Sequence, residues 1–251
     1  MRIVSLCPSL TELVFDLGRG PELVGITEYC VHPAAGVEKV EKVGGTKTPD
    51  VKRIVELAPD LVLLNEEENR REDAEALGRA GLACHASLPR DARQTAAMVR
   101  AIGAALDANE RAEAIAAEIE RRDARVRAEA ARAPRVRFAY LIWRKPWMSV
   151  NGDTYASALL EAAGGENVFA REESRYPVIT TARLAAEKPA RVFLCTEPFV
   201  FLPRHADELV RETGLPRASF VVADGEYLSW HGSRTPDGID YAGGLVRDAR
   251  G

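Results

Sequence analysis

The sequence predicts an α/β protein with two lobes, one long backbone helix that joins them, and a ligand cleft between the lobes. Three observations predict this fold class. Segments typical of strands and helices alternate up to residue 106, and the alternation begins again after Pro134. A long, highly charged helix pattern separates the two halves. A twelve-residue stretch of the first half also has a counterpart in the second half.

The helix pattern runs from Asp107 to Ala133. Its apolar residues recur at three- and four-residue steps, at Ala112, Ile115, Ala116, Ile119, Val126 and Ala130, and charged residues fill the other faces. Asp107 and Glu110 predict a capping box at its start, and Pro134 marks its end. At ~1.5 Å per residue such a helix spans roughly 35 Å, about the width of a small domain. We interpret it as a connecting strut, although an ordinary surface helix has the same stripe.

This interpretation divides the chain into an N-terminal lobe (1–106), the connecting helix (107–133) and a C-terminal lobe (134–251). In the first lobe, strands are predicted at 3–6, 23–27, 59–64 and 82–87. Ser9 with Glu12, and Asn69 with Glu72, predict capping boxes for two of its helices. In the second lobe, strands are predicted at 136–143, 191–195 and 219–223, and helices at 155–163 and 183–187. Each half therefore reads as a Rossmann-like lobe.

Residues 53–64 align with residues 183–194 without a gap, and we call this internal repeat the echo. In both copies an Arg lies six residues before a Pro and a Glu lies eight residues after it: Arg53, Pro59 and Glu67, then Arg183, Pro189 and Glu197. Ligands of open α/β sheets gather at the carboxyl ends of the strands. The two glutamates are therefore expected on opposite walls of the cleft.

The composition restricts the class of partner. The chain has 46% hydrophobic and 29% charged residues and a formal net charge of -4, so no nucleic-acid partner is predicted. No apolar run approaches the ~18 residues of a membrane span, which predicts no membrane insertion. Met1 and Arg2 lead directly into the first strand, so a cytoplasmic protein is predicted, or a periplasmic or cell-surface protein whose leader was trimmed. A monomer is predicted.

Five segments occur in an order that resembles one family: SLCPSLTELVFDLG, ELVGITEYCVHP, VGGTKTPDVKRIVELAPDLVLL, NGDTYASALLEAAGGENVF and YLSWHGSR. Together with the long helix, they resemble the helical-backbone (class III) solute-binding proteins, the receptors that deliver cobalamin, ferric siderophores and haem to ABC importers. The chain is most like the cobalamin carriers. The resemblance implies two α/β lobes, one rigid connecting helix and a metal chelate held between the lobes, with no covalent cofactor.

The residues matching the cleft positions of that family are Tyr29, Trp143 and Trp230. Large aromatic planes suit a flat macrocycle with polar edges. Trp147 and Arg144 belong to the same segment, for which a strand end followed by a turn is the alternative interpretation. We also expect Arg144 or Arg234 to pair with a carboxylate or phosphate of the ligand. Glu67 and Glu197 complete this first set of candidate ligand-binding residues.

A second set comprises Cys7, Ser9, Thr46 and His231. Cys7 precedes a predicted helix start, which can lower a thiol pKa, and a buried structural thiol is the alternative. His32 and His231 are the candidate metal ligands, with an ordinary hydrogen-bonded histidine as the alternative. For the acidic loop at residues 66–68, which includes Glu67, the alternative is a solvated loop.

The chain departs from the cobalamin carriers at four positions. The acidic residues that dock those carriers on the importer correspond to Lys52 and Ala182, and a loop Trp and a late Asp correspond to Thr46 and Ser229. The predicted function is a binding protein for a metal chelate, resembling the substrate-binding component of an ABC importer, and not an enzyme. The alternatives are a metal-handling enzyme, chelatase-like or a hydrolase using Cys7, His32 and the acidic loop, and a partner-binding scaffold.

Overall fold

A computed structural model describes all 251 residues, Met1 to Gly251, and it confirms the α/β class. The chain forms two compact units. Unit 1 comprises Met1–Pro89, Arg93–Glu118 and His231–Arg234. Unit 2 comprises Arg90–Ala92, Ile119–Trp230 and Thr235–Gly251. None of the helices combines the length and the apolar character that crossing a bilayer requires.

Unit 1 is built on a four-stranded parallel sheet. Its strands are β1 (Ile3–Ser5), β2 (Leu23–Ile26), β3 (Leu61–Asn65) and β4 (Cys84–Ser87), and their order in the sheet is β2-β1-β3-β4. The helices that alternate with them are α1 (Pro8–Asp16), α2 (Ala34–Val37), α3 (Val51–Glu56), α4 (Arg71–Arg79) and α5 (Ala92–Ala105). The central strands β1 and β3 are almost continuously buried, as the apolar runs of a parallel sheet predict.

Unit 2 has a five-stranded mixed sheet. Its strands are β5 (Val136–Trp143), β6 (Met148–Ser149), β7 (Gly165–Asn167), β8 (Arg191–Cys195) and β9 (Phe220–Ala223). The order is β6-β5-β8-β9, and β7 also pairs with β5. All pairings are parallel except that of β5 with β6. The helices are α7 (Tyr155–Ala162), α8 (Thr181–Glu187), α9 (Pro203–Thr213), α10 (Gly225–Ser229) and α11 (Thr235–Asp248).

The long helix that follows α5 along the chain is α6 (Asn109–Ala130). Of the six residues predicted for its apolar stripe, Ala112, Ala116, Ile119 and Val126 are buried, and Ile115 and Ala130 are half-buried. The helix contributes its residues up to Glu118 to unit 1 and those from Ile119 onwards to unit 2. The division at residues 106/107 and 133/134 stays a prediction.

Three predicted helix caps are wrong. Asp107 has φ of 50° and lies before a helix that begins at Asn109, so it does not cap α6. The N-cap position of α1 is Cys7 instead of Ser9, and no side chain caps it. Asn69 does not cap α4, whose N-cap position is Arg70, because the Asn69 amide binds three backbone groups elsewhere in unit 1. In each case the residue types of a capping box were present in the sequence. The backbone conformation or a tertiary hydrogen bond prevented the side chain from capping the helix.

The echoed segments have the same local structure in both units. The helix before each echoed strand is capped by a side-chain oxygen that accepts from an arginine N–H, Asp50 from Arg53 in α3 and Thr180 from Arg183 in α8. Each echoed strand, β3 or β8, then occupies an inner position of its sheet. Glu67 and Glu197 consequently follow the carboxyl ends of equivalent strands, two residues after the strand in both units.

Candidate functional site

In unit 1, the turn after β2 presents Tyr29 to solvent. Below it, the Cys30 thiol lies 3.1 Å from the Thr11 hydroxyl and 3.2 Å from the Thr27 hydroxyl, and the Cys30 N–H donates to the Thr27 carbonyl. This buried anchor fixes the turn and leaves Tyr29 60% exposed. A Cβ on Gly45 would lie 3.3 Å from the Tyr29 ring, so the ring packs beside the loop that carries Thr46. Thr46 itself is buried.

Two buried asparagines hold the loops at this end of the sheet. The Asn69 amide donates to the carbonyls of Leu6 and Thr46, at 2.9 and 3.0 Å, and its oxygen accepts from the Asn65 N–H at 2.8 Å. It therefore links the loop after β1, the Thr46 loop and the end of β3. The Asn65 side-chain oxygen accepts from the N–H groups of Glu67 and Glu68, at 3.0 and 3.1 Å. These bonds shape the acidic loop.

Asn65 also fixes the tautomer of His231. Because its oxygen accepts from two backbone N–H groups, its Nδ2 must be the donor to the Ser87 carbonyl and to His231 Nε2, at 2.9 and 3.2 Å. His231 Nε2 is then an acceptor, and the ring proton lies on Nδ1. His231 is buried, and its role as a metal ligand stays a prediction.

His32, the other candidate metal ligand, is half-buried and precedes a cis peptide bond to Pro33. Across the structure, no three side chains of the types His, Cys, Asp and Glu lie together in a group that could hold a metal ion.

Cys7 follows β1 at the start of α1, where its thiol lies 3.4 Å from the Ser9 hydroxyl. It is 2% exposed. Burial, with the nearby Glu68 charge adding to it, raises the pKa of the Cys7 thiol to about 12. The helix start therefore does not produce a thiolate here, and the structure supports the alternative of a buried structural thiol.

The four cysteines give a simple prediction, because only one of them is exposed. Cys7, Cys30 and Cys195 are buried, whereas Cys84 lies exposed on the edge strand β4. We expect a thiol reagent such as Ellman's reagent to modify one thiol per native chain and all four after denaturation, because a buried, protonated thiol reacts slowly. Cys84→Ser should abolish the native reaction, and Cys30→Ser should leave it unchanged. Rapid labelling of a second native thiol would contradict this assignment.

In unit 2, aromatic side chains gather after β5 and β8. The Trp143 ring meets Phe199 edge-on, with centroids 5.7 Å apart, and Phe199 meets Phe201 at 4.8 Å. Trp147 stacks on Phe201 at 6.2 Å, and the His205 ring lies 5.3 Å from Phe199. We call these five residues the aromatic cluster. Phe201 and Trp147 belong to the core of unit 2, whereas Trp143 is 39% exposed, so Trp143 forms the outer edge of the cluster.

Arg144 lies beside this cluster and is paired. Its Nε and Nη2 donate to the two carboxylate oxygens of Glu208 in α9, at 2.9 and 2.6 Å. The guanidinium also lies 5.8 Å from the centre of the Trp147 ring. Hydrogen bonding to Arg144 holds the pKa of the Glu208 carboxyl below its usual range.

Arg234, in unit 1, is paired in the same manner. Its Nε and Nη2 donate to the two oxygens of Glu12 in α1, at 2.9 and 2.6 Å. Both side chains are largely buried, with 16% and 18% of their surfaces exposed. Glu12, which was expected to close a capping box, instead holds the segment His231–Arg234 on α1.

Glu197 follows β8 and is held from two sides. The Trp230 indole N–H donates to its carboxylate at 3.3 Å. The Cys195 thiol donates to the Glu197 carbonyl at 2.8 Å and receives a hydrogen bond from the buried Tyr140 hydroxyl at 2.7 Å. Burial raises the pKa of Cys195 to about 11, so this chain of hydrogen bonds consists of neutral groups. Trp230 is buried and presents only its edge to Glu197.

A surface groove of unit 2, about 1060 Å³ in volume, contains none of the predicted site residues. Its walls carry charges that pair with each other, Arg137 with Glu166 and Arg183 with Glu172.

The profile of the periplasmic binding protein family matches residues 3–217, most of the chain. The chain belongs to the periplasmic binding protein family.

Curated relatives of this chain include two vitamin B12-binding proteins. The protein of Vibrio parahaemolyticus is 27% identical over 194 residues, which cover 76% of this chain and 70% of that protein. The protein of Yersinia pseudotuberculosis is 28% identical over 188 residues, which cover 75% of this chain and 67% of that protein.

Solved structures show the same two-lobed fold. The periplasmic vitamin B12 binding protein of Vibrio cholerae has a TM-score of 0.85 at 22% identity, over 99% of this chain and 97% of that one. The periplasmic haem-binding protein of Roseiflexus sp. RS-1 has a TM-score of 0.84 at 24% identity, over 100% of this chain and 99% of that one. At these identities the likeness shows the fold, and the roles of individual residues stay predictions.

The sequence analysis did not identify several residues that lie near the candidate positions. They are Phe199, Phe201, His205 and Glu208 in unit 2, and the Asn65–Asn69 pair in unit 1. The run Phe199-Val200-Phe201 directly after a buried strand was a usable signal for the aromatic cluster. Nothing local identified Glu208 as the partner of Arg144, because the two lie 64 residues apart.

Proposed function

We propose that this chain binds a metal chelate, either cobalamin or another corrinoid, or a ferric siderophore-like compound, as the substrate-binding component of an ABC importer. The observation that carries the proposal is the exposure of large aromatic side chains at the carboxyl ends of strands in both units. Tyr29 follows β2 with 60% of its surface exposed, and Trp143 ends β5 with 39% exposed. The vitamin B12-binding relatives and the family support the same class of ligand.

The physical reason is the shape of these side chains. An exposed Tyr or Trp contributes little to the folding core, but it can cover a flat apolar ligand and still hydrogen-bond at its edge. The Trp143 ring packs edge-on against Phe199. Tyr29 lies in a turn that the contact of Cys30 with Thr27 stabilises. Both planes are therefore held in position before a ligand arrives, which lowers the entropy lost on binding.

The importer contact stays a prediction. The two positions that correspond to docking residues of the cobalamin carriers are exposed, Lys52 in α3 and Ala182 in α8. Neither is acidic, so we propose that any docking on an importer uses other side chains. The compartment also stays a prediction, with the cytoplasm, the periplasm and the cell surface as the candidates.

The enzyme alternative has less support. Members of the matched family are binding proteins, and the proposed nucleophile Cys7 is buried with a raised pKa. A hydrolase needs a thiolate or an adjacent base at its nucleophile, whereas the Cys7 thiol lies 3.4 Å from the Ser9 hydroxyl, which is not a base.

The test is direct identification of the ligand. Protein purified without refolding is analysed by native mass spectrometry for a co-purified chelate. It is then titrated with cyanocobalamin, ferric haem and ferrioxamine B, followed by tryptophan fluorescence and visible absorbance. We expect saturable one-to-one binding of at least one of these compounds, since the exposed Trp143 would report a bound chromophore. Absence of a co-purified ligand and of binding to every probe would remove the proposal.

A further inference from the structure

We infer that His205 is a positioning residue of the candidate site: its neutral ring holds the loop that supports Trp143, and protonation of this ring releases the loop and weakens ligand binding in acid. All the residues involved belong to unit 2. The loop comprises residues 196–202, between β8 and α9, and it carries Phe199. The effect on binding rests on the proposed function, whereas the effect of protonation on the loop does not.

His205 binds the backbone at the start of α9 in two directions. The Leu202 N–H donates to His205 Nδ1 at 3.0 Å, and the His205 N–H donates to the Leu202 carbonyl at 2.9 Å. His205 is the third residue of the helix, so its ring takes the place that a Glu or Gln side chain has in a capping box. The ring therefore supplies the acceptor that fixes the last residue of the loop.

This hydrogen bond defines the protonation state of the ring. A backbone N–H can only donate, so His205 Nδ1 is the acceptor and the ring proton lies on Nε2. In the cation both ring nitrogens carry a proton, and the Nδ1–H would then point at the Leu202 N–H. Protonation therefore replaces a hydrogen bond by a contact between two donors, and the ring and the loop must move apart.

The loop depends on this bond because it has few others. At its β8 end, the Cys195 thiol contacts both the carbonyl and the N–H of Glu197. At its α9 end, the backbone is held by His205. The backbone of residues 199–201, between these two anchors, forms no hydrogen bond within the protein. Loss of the His205 bond therefore leaves this stretch with side-chain packing alone.

The packing around His205 indicates which ring would move. The His205 ring lies 5.3 Å from Phe199 and 5.6 Å from Phe201, and the residue is only 7% exposed. Phe201 is fully buried in the core of unit 2, whereas Phe199 is half-buried and meets Trp143 edge-on. Release of the loop should therefore displace Phe199 more than Phe201, and Trp143 would lose the ring that it packs against.

The charged groups that act on the His205 ring are Arg204 and Glu208 in α9 and Arg144 in the turn after β5. Burial lowers the pKa of His205 below its ordinary value of about 6.5, the two arginines lower it further, and Glu208 opposes them. The fold thus favours the neutral ring. Its stabilising effect is complete above about pH 6.5 and is lost as the pH falls from there through the pKa of the folded protein.

The experiment follows Trp143 without any ligand. Protein labelled with 5-fluorotryptophan is titrated from about pH 8 to about pH 5 by fluorine NMR, and the Trp143 resonance is assigned from its absence in Trp143→Phe. We expect this resonance to shift with a midpoint below about pH 6.5. His205→Asn cannot become charged, and its Oδ1 retains an acceptor as many bonds from the Cα as His Nδ1. Its Trp143 resonance should stay at the neutral position throughout.

Two further variants make the titration specific. His85→Asn is the matched control, because His85 is a half-buried histidine of unit 1 whose pKa is also lowered by burial. It should keep the wild-type titration of Trp143. His205→Leu fills space but has no acceptor, so its Trp143 resonance should lie near the acid position even at about pH 7.5. If His205 only filled space, His205→Leu would resemble the wild type at that pH.

The effect on binding is measured with whichever of cyanocobalamin, ferric haem and ferrioxamine B saturates the wild-type protein. Between about pH 7.5 and about pH 5 we expect the Kd of the wild type to rise roughly tenfold and that of His205→Asn to rise by no more than about twofold. Because both proteins are titrated with the same compound, any titration of the ligand itself affects them equally.

The outcomes separate this inference from the proposed function. If no probe binds, the proposed function fails, and the titration of Trp143 still tests the role of His205. If the Trp143 resonance does not move in the wild type, or moves equally in His205→Asn, the inference is overturned even when a ligand binds. If the resonance moves as expected but Kd changes equally in both proteins, the effect on binding is overturned. The wild-type titration alone can refute the inference if a variant does not fold.

Discussion

Asn69→Ala is expected to lower the free energy of unfolding by about 3 kcal/mol or more. The substitution removes both donors and the acceptor of a buried amide, so the carbonyls of Leu6 and Thr46 and the N–H of Asn65 lose their partner together. Each buried polar group left without a partner costs about 1–3 kcal/mol. The measurement is the urea unfolding midpoint, followed by circular dichroism.

The matched control for this substitution is Asn109→Ala. Asn109 is the exposed first residue of α6, and it should change the unfolding free energy by no more than about 0.5 kcal/mol. Asn69→Asp is informative as well, because it retains the acceptor for the Asn65 N–H and loses both donors. Because the oxygen that replaces the amide nitrogen would meet two carbonyl oxygens in a buried site, we expect Asn69→Asp to be no more stable than Asn69→Ala at neutral pH. If Asn69→Ala unfolds at the wild-type midpoint, the hydrogen bonds of Asn69 with Leu6, Thr46 and Asn65 do not stabilise the protein in solution.

Trp143→Ala is expected to weaken ligand binding by roughly tenfold to a hundredfold. A well-placed aromatic side chain at a binding surface contributes about 1–3 kcal/mol, and tenfold corresponds to about 1.4 kcal/mol. Trp143 is the exposed edge of the aromatic cluster, so its loss should affect the ligand more than the fold. The Kd is measured by absorbance titration with the chelate that binds the wild-type protein.

Two further variants make this result specific. Trp143→Phe keeps an aromatic plane and should recover much of the affinity. Val178→Ala truncates a side chain that is 63% exposed and lies in the groove lined by paired charges, and it should leave Kd unchanged. Wild-type affinity in Trp143→Ala would place the ligand elsewhere on the molecule.

The strands were the most predictable part of the fold. The strands Val136–Trp143 and Arg191–Cys195 have the bounds expected from the sequence, because both are apolar runs with clear limits. The gap-free echo also placed Glu67 and Glu197 correctly after equivalent strands. Runs and repeats of this kind are local, so a sequence contains all the information that defines them.

Helix α11 (Thr235–Asp248) was not predicted, and the reason is its glycines. Gly238, Gly243 and Gly244 all lower helix propensity. Gly238 is required by packing, because a Cβ at this position would lie 2.2 Å from the Tyr227 carbonyl oxygen. Close contact between α11 and the preceding helix therefore outweighs the propensity, and that contact cannot be read from the sequence.

The candidate site was predictable in its residue types but not in its pairings. Tyr29 and Trp143 were identified as aromatic side chains at strand ends, and the structure exposes both. Arg144 and Arg234 were expected to hold a ligand anion, but their guanidinium groups meet glutamates 64 and 222 residues away in the chain. Whether they also contact a ligand stays a prediction. Only a three-dimensional structure reveals which charges already have partners.

The assignment of His231–Arg234 to unit 1 limits how the protein can be divided. The residues on both sides of this segment, Trp230 and Thr235, belong to unit 2. A fragment that ends at Glu118 would contain Asn65 and Glu12 but would lack His231 and Arg234, the side chains that bind them. The units are therefore not interchangeable modules. Exchanging the second half for that of a relative would also change the internal contacts of the first.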